Sequence, residues 1–284
     1  MYYSPLRYPG GKAKIHPFIS SLIDAYGHVG GTYVEPFAGG AGIPLALLFE
    51  EKISTVVLND LDKGVYSFWK SILDDPERFI SAIKTTEVTP REWSRQCDIR
   101  KQVTDCCFEL GFATFFLNRT NRSGILSAGM IGGNTQSGAW KIDSRYNKSS
   151  LISKIQTISS MRDKIHTYNS DIEEFLMDIL PQYGSDVLMY LDPPYFSKGK
   201  DLYPQFFKLE DHIRLEHAMR SVVCDWVMTY DDVPEIESLY RNYCVKRFRI
   251  NYSIVKQRKA TELMIFKHQN MVPAPDDIRG ICLV

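Results

Sequence analysis

Four consecutive residues, Asp192-Pro193-Pro194-Tyr195, have the makings of a reaction centre. They follow Asp186-Val-Leu-Met-Tyr-Leu191, an apolar run of strand length. Two prolines stop a strand there, because neither donates to a ladder and both fix φ. An acid, rigid carbonyls and an aromatic ring are therefore expected at the carboxyl end of a strand, the edge where open α/β sheets place their ligands. The chemistry this set suits is methylation of an exocyclic amine. The amino nitrogen of adenine is a poor nucleophile, since its lone pair is delocalised into the ring. Asp192 and the carbonyl of Pro193 would each accept one amino hydrogen and favour a pyramidal nitrogen with its lone pair aimed at an electrophile. Tyr195 would stack on the base. No metal or covalent intermediate is needed when the methyl arrives activated on the sulfonium of S-adenosylmethionine. A strand ending in a surface turn would show the same four residues, so the rest of the chain has to decide.

A methyl donor needs a pocket. Residues 32–37 read as a first strand running into Ala38-Gly39-Gly40-Ala41-Gly42 and then an apolar helix over 43–49. Strand, glycine-rich turn and helix present backbone amides and a helix N-terminus to a ligand. The spacing is neither Gly-x-Gly-x-x-Gly nor a Walker loop, which disfavours a dinucleotide oxidoreductase and leaves a zwitterionic cofactor tail compatible. Residues 54–60 form a second strand ending in Asp60, at the distance from the glycine turn where an acid accepts from ribose hydroxyls. Asn59-Asp60 would alternatively cap the next helix, 63–73. Pro5-Leu-Arg-Tyr-Pro-Gly-Gly-Lys12 ends in a fixed cation that would grip a carboxylate such as a methionine tail. The strand over 165–171 ends in Asp171, which would cap the helix that follows.

These segments match a known pattern. Pro-Leu-Arg-Tyr-Pro-Gly-Gly-Lys (5–12), Glu-Pro-Phe-Ala-Gly-Gly-Ala-Gly (35–42), Asn-Asp (59–60) and Asp-Pro-Pro-Tyr (192–195) occur in this order over nearly the whole chain. The chain thereby resembles the Dam-like, α-group DNA N6-adenine methyltransferases. The resemblance implies a Rossmann-like α/β fold with a mixed seven-stranded sheet, S-adenosylmethionine as cofactor and double-stranded DNA as substrate. Asp192, Pro193, Pro194 and Tyr195 become the catalytic set. Tyr8, Gly11, Lys12, Glu35, Phe37, Gly39, Gly40, Gly42, Asp60, Asp171, Ile172 and Asp192 become the cofactor set, with Asp171 meeting the adenine amino group and Ile172 its ring. Residues 1–90 and 161–284 would form the catalytic domain. Residues 91–160 would be an inserted, mainly helical target-recognition domain, with 74–90 as a boundary.

Charge distribution fits a polyanion better than the zero net charge does. Residues 91–164 carry twelve Lys/Arg against six Asp/Glu, and residues 241–261 carry seven basic residues and no acid. Asn118-Arg119-Thr120-Asn121-Arg122-Ser123-Gly124 corresponds to a loop that lies at the DNA face in the family, and Asn and Arg suit base edges or phosphates. Helix capping and turn formation are the competing uses of those residues. Arg119, Asn121, Arg122, Lys141 and Arg145 are the DNA contacts expected here, with Trp140 or Tyr146 filling the gap left by an extruded base. Lys256, Arg258 and Lys259 form a basic hairpin tip between alternating runs at 243–250 and 262–267. Residues 196–207 make a candidate lid, with Tyr203 and Phe206 around the target base. The insert departs from the best-known Dam loop, Asn-Arg-Tyr-Gly-Tyr-Asn-Gly, so GATC specificity is not implied.

The remaining features exclude more than they assert. Six cysteines show no Cys-x-x-Cys spacing and read as reduced thiols, not a metal site or disulfide framework. No apolar run approaches transmembrane length and no signal-peptide pattern opens the chain, so a cytoplasmic, nucleoid-associated protein of bacterial or phage origin is expected. It would act as a monomer or weak dimer, with a cognate restriction endonuclease as possible partner. N6-adenine in RNA, N4-cytosine in DNA, and a catalytically silent nucleic-acid-binding protein of this fold are the competing readings.

Overall fold

Alternation of side chains explains the sheet. A computed structural model describes residues 3–7, 12–197, 207–249, 261–273 and 280–283. Five parallel strands, β1 (Thr32–Glu35), β2 (Thr55–Asn59), β3 (Ile165–Tyr168), β4 (Val187–Leu191) and β5 (Asp225–Asp231), are extended by β6 (Cys244–Arg249), β7 (Thr261–Phe266) and β8 (Cys282–Leu283), in the order β3-β2-β1-β4-β5-β7-β6-β8. β7 runs antiparallel to both β5 and β6, as the alternating runs near the C-terminus predict. The sheet has eight strands and not seven, because the two-residue β8 pairs with the outer edge of β6.

One face of the sheet presents Tyr33, Val56, Leu58, Leu188, Tyr190, Val227 and Met264, and the other Val34, Val57, Met189, Leu191, Met228 and Ile265. Both faces are apolar, as a sheet covered on two sides requires. The first face is covered by α1 (His16–Tyr26), α2 (Gly42–Phe49), α3 (Lys63–Asp74), α4 (Pro76–Thr85), α6 (Phe108–Thr120) and α7 (Lys148–Ser159). The second is covered by α8 (Ile172–Glu174), which continues into a π-helical turn over Phe175–Ile179, by α9 (Leu209–Met219) and by α10 (Pro234–Leu239).

Two local expectations are corrected. Residues 74–90 are no boundary: Asp75 caps α4, Pro76 starts it, and Phe79 and Ile83 are buried in the core. The cap of α3 is Asp62, whose carboxylate accepts from the Gly64 and Val65 amides, so Asn59 and Asp60 are released from that duty. Residues 91–160 hold α5 (Pro90–Gln102), α6, α7 and an irregular stretch between α6 and α7. Phe112 and Phe115 of α6 pack on Phe79, and Phe115 stacks on Phe68 at 5.8 Å, so α6 belongs to the same core as the sheet. That close crossing needs Gly111, where a Cβ would lie 2.5 Å from the Ser67 carbonyl oxygen.

The chain leaves β1 toward β2 on one side, while β4 lies on its other side. This is a topological switch point, and a crevice opens beyond the carboxyl ends of the two strands. Among the described residues no helix is long and apolar enough to cross a membrane.

Candidate active site

A cleft of about 840 Å³ occupies the switch point. Its size suits a nucleoside-sized ligand. Phe37, Gly39, Gly40 and Gly42 form one wall, and Asp60, Asp171 and Ile172 another. Lys12, Glu35, Asp192 and Pro194 line the end nearest β4. Tyr8 and Gly11, expected in the same set, lie outside the described residues, as do Tyr203, Phe206, Lys256, Arg258 and Lys259.

The glycine turn is shaped by its neighbours. Gly39 and Ala41 adopt positive φ, 44° and 45°, which lets the chain double back between β1 and α2. The Gly39 amide donates to Asp60 Oδ2 at 2.8 Å, and Trp69 of α3 donates its indole N–H to the Gly39 carbonyl at 3.0 Å. Asp60 Oδ1 accepts from the Asp62 amide at 2.9 Å. Burial, then the nearby Asp62, push the Asp60 carboxyl up to about 7 against these amides and Arg100. Asn59, which carries no chemistry in the sequence reading, is the stitch beneath the cleft. Its amide donates to the Pro36 and Ser170 carbonyls and accepts from the Ser170 amide, joining the ends of β1, β2 and β3. Asp171 caps α8 by accepting from the Glu173 amide at 3.0 Å while facing the cleft, so both of its expected roles are compatible.

The catalytic edge is a buried polar network. Asp192, Tyr190, Tyr33, Glu35, Thr229 and Glu262 share the parity of the first sheet face. Thr229 donates to Asp192 Oδ1 at 2.9 Å and is itself within 2.8 Å of the Tyr190 hydroxyl. Lys12 Nζ lies 3.6 Å from Asp192 Oδ1 and 2.5 Å from Glu262 Oε2, and also donates to the Tyr195 hydroxyl oxygen. Burial raises the Asp192 carboxyl, and Lys12 and the Thr229 hydroxyl oppose the shift. Glu35, buried beside it, is held well above the ordinary carboxylate range by desolvation and by Asp192. Thr229 and Glu262 were not among the sequence candidates. The sequence contains their signal only as strand parity, which becomes usable once the strand order is known.

The expected DNA-contact residues divide. Asn121 is fully buried: it accepts from the Trp93 indole at 2.6 Å and donates to the Ile125 and Leu126 carbonyls at 3.0 and 3.1 Å. It is a loop anchor, not a base reader. Arg119 is likewise withdrawn, its guanidinium bonded to the Arg145 and Pro5 carbonyls. Tyr146 is buried among Phe115 and Phe116 and fills no gap in DNA. Arg122, Lys141 and Arg145 are exposed, and Arg145 lies over the Trp140 ring, itself 66 % exposed. In the second basic stretch Arg247 is paired with Asp232 and Glu237. Asn118, an unassigned residue, bridges two segments. Its amide accepts from the Arg7 amide at 2.7 Å and donates to the Arg7 and Gly124 carbonyls. Asn121→Ala is expected to lower stability by about 2–4 kcal/mol, from three lost buried hydrogen bonds, with the preferred DNA sequence unchanged. Thermal unfolding and methylation mapping of the variant check both halves.

A mixed sheet whose switch-point cleft joins a glycine turn, the strand-end acids Asp60 and Asp171, and Asp192 with Pro194 is the arrangement of an S-adenosylmethionine-dependent methyltransferase. The sequence pattern of the D12 class N6 adenine-specific DNA methyltransferases matches residues 8–259, and the chain belongs to that family. It is 24 % identical over 289 residues to the type II methyltransferase M1.LlaDCHI of Lactococcus lactis subsp. cremoris, covering 93 % of this chain and 95 % of the relative. Identity to the type II methyltransferase M.MjaIII of Methanocaldococcus jannaschii is 24 % over 237 residues, with 76 % and 79 % covered. For the type II methyltransferase M.CviBI of Paramecium bursaria Chlorella virus NC1A it is 23 % over 236 residues, with 78 % and 81 % covered. The protein is a DNA adenine methyltransferase.

Proposed function

We propose that this enzyme methylates N6 of adenine at a specific sequence in double-stranded DNA, acting on a base rotated out of the stack. The observation that carries the reading is that Asp192 lines the same cleft as the glycine turn and Asp60. The donor set fits the cofactor: carboxylates at one end for hydroxyl and amino groups, apolar Phe37 and Ile172 for a ring, and Lys12 at the other end. When bound there, S-adenosylmethionine supplies an electrophilic methyl group.

The chain's own residues do the rest. Asp60 accepts from ribose hydroxyls, and Asp171 and Ile172 meet the adenine ring. Gly39, Gly40 and Gly42 let the backbone approach closely. Asp192 and the Pro193 carbonyl each take one amino hydrogen of the target base, Pro194 keeps the turn rigid, and Tyr195 holds the ring. The proton that the amine releases passes to Asp192 Oδ2 and on to solvent. A paired adenine cannot turn its lone pair toward the cleft, so the base must leave the helix at a cost of a few kcal/mol. Contacts of Arg122, Lys141 and Arg145 with phosphates offset that cost. Within residues 91–160 the irregular stretch between α6 and α7 serves as the target-recognition part, and the rest of the chain, with α6 and α7 packed on the sheet, as the catalytic part. The relatives' designation as type II methyltransferases supports a cognate restriction endonuclease as partner. The enzyme acts in the cytoplasm with the nucleoid, as a monomer or weak dimer.

Incubation with S-adenosylmethionine and defined DNA and RNA, followed by nucleoside mass spectrometry, tests the reaction. N6-methyladenine confined to duplex DNA is expected, whereas N4-methylcytosine or methylated RNA alone overturns the assignment. The Asp60 role makes a second prediction. A carboxyl raised to about 7 is largely neutral at pH 6 and ionised at pH 8, and only the ionised form accepts from both hydroxyls. Cofactor affinity is expected to rise with pH by about tenfold between 6 and 8. Asp60→Asn should bind weakly at both values. A flat calorimetric profile for the wild type would remove Asp60 from the ribose site.

A further inference from the structure

We propose that Glu262 is a positioning residue for methyl transfer, holding Lys12 and Tyr195 in register with Asp192. The inference rests on the assignment of Asp192 and Tyr195 to the amine. Glu262 stands on β7, outside every motif considered above, and is 4 % exposed. An acid so buried needs partners. Its Oε2 lies 2.5 Å from Lys12 Nζ and accepts from the Tyr195 hydroxyl at 2.8 Å. The same ammonium is 3.6 Å from Asp192 Oδ1 and 4.8 Å from the centre of the Tyr195 ring.

One cation is thus divided between the catalytic carboxylate and Glu262, and the nearer anion sets its position. Without Glu262, Lys12 is drawn onto Asp192, the anion that remains, and competes with the amino hydrogens for the same lone pairs. Tyr195, whose hydroxyl accepts from Lys12, follows the displaced ammonium, and the tilt of its ring changes with it. The β5–β7 register strengthens the case. Glu262 lies opposite Asp231, which accepts from the Phe196 and Ser197 amides at 3.0 and 2.7 Å. Two buried acids on neighbouring strands therefore hold three consecutive residues, Tyr195, Phe196 and Ser197, immediately after the Asp-Pro-Pro segment.

The test uses the full-length protein, S-adenosylmethionine and a duplex carrying its mapped methylation site, under single-turnover conditions. E262Q is expected to slow transfer at saturating cofactor by about 10–100-fold, the scale of a small misplacement of reacting groups. In a Lys12→Met background the same change is expected to cost less than about twofold, because its effect passes through Lys12. Wild-type turnover by E262Q overturns the proposal. So does an equal loss in the two backgrounds, which a merely structural carboxylate would give. Should E262Q leave Lys12 unpaired and fail to fold, E262M/K12M is compared with K12M. Equal rates support the proposal, and a further tenfold loss overturns it. Asp192→Ala is assayed alongside. If it is inactive while E262Q is fully active, only this inference fails; if it is active, the assignment of the amine site itself fails.

Discussion

Asp192→Ala is expected to lower methyl transfer by at least about 10³-fold, the combined scale of a lost acceptor and a lost proton-transfer group, while cofactor affinity stays close to that of the wild type. The proposed role needs a charged acceptor, and the Pro193 carbonyl cannot replace this carboxylate. The proposed cofactor contacts lie mainly at the ends of β1, β2 and β3, which the substitution does not touch. Single-turnover assays and calorimetry on the variant separate these outcomes. The raised pKa adds a sign. In the wild type, burial places the Asp192 carboxyl above its ordinary range, with Lys12 and Thr229 pulling it back. Transfer should therefore fade as pH falls through a value above that of a solvent-exposed aspartate, because the protonated acid has lost an acceptor position. Asp192→Asn should be slow and lack that acidic limb. Wild-type turnover by Asp192→Ala would mean that the amine is activated elsewhere.

The second large effect falls on stability. In Gly111→Ala the new Cβ would meet three backbone atoms of α3, the Ser67 oxygen and carbon at 2.5 and 2.6 Å and the Phe68 nitrogen at 2.8 Å. No side-chain rotation relieves a clash with backbone in mid-helix, so α6 must retreat from α3 and loosen Phe112 and Phe115. Overpacking of this kind costs about 1–3 kcal/mol, and the backbone clash places Gly111→Ala at the upper end, a fall in Tm of about 6–10 °C for a chain of this size. Cofactor affinity should drop as well, because α3 carries Trp69, the hydrogen-bond partner of the Gly39 carbonyl. A melting curve like that of the wild type would contradict the close α3–α6 crossing.

The parts of this site that were readable in the sequence are those made by contiguous residues. Asp192, Pro194, the glycine turn and Asp60 follow strands whose apolar runs are plain, and all of them line one cleft, whereas Pro193 and Tyr195 do not line it and the Tyr195 hydroxyl is turned to Glu262. Thr229 and Glu262 were invisible because they meet their partners across 37 and 67 positions of chain. Nothing local marks a threonine in an apolar strand as the donor to a distant aspartate. Arg119 and Asn121 failed in the opposite way. Their side chains suit nucleic acid, but the chain leaving α6 has carbonyls to satisfy, and an amide or guanidinium close by serves them. The eighth strand escaped notice because two residues carry no period.

The amides of Asn118 and Asn121 fasten the root of the loop after α6 to the amino-terminal segment and to Trp93, whereas Arg122, Trp140 and Arg145 stand clear of those bonds. Under the proposed target-recognition role, a scaffold rigid at its base and open at its tip would let target preference diverge with turnover kept. Grafting a relative's counterpart of residues 128–141 onto this frame, with Leu126 and Ser127 of the cleft kept, is the experiment in which an altered methylation pattern is expected.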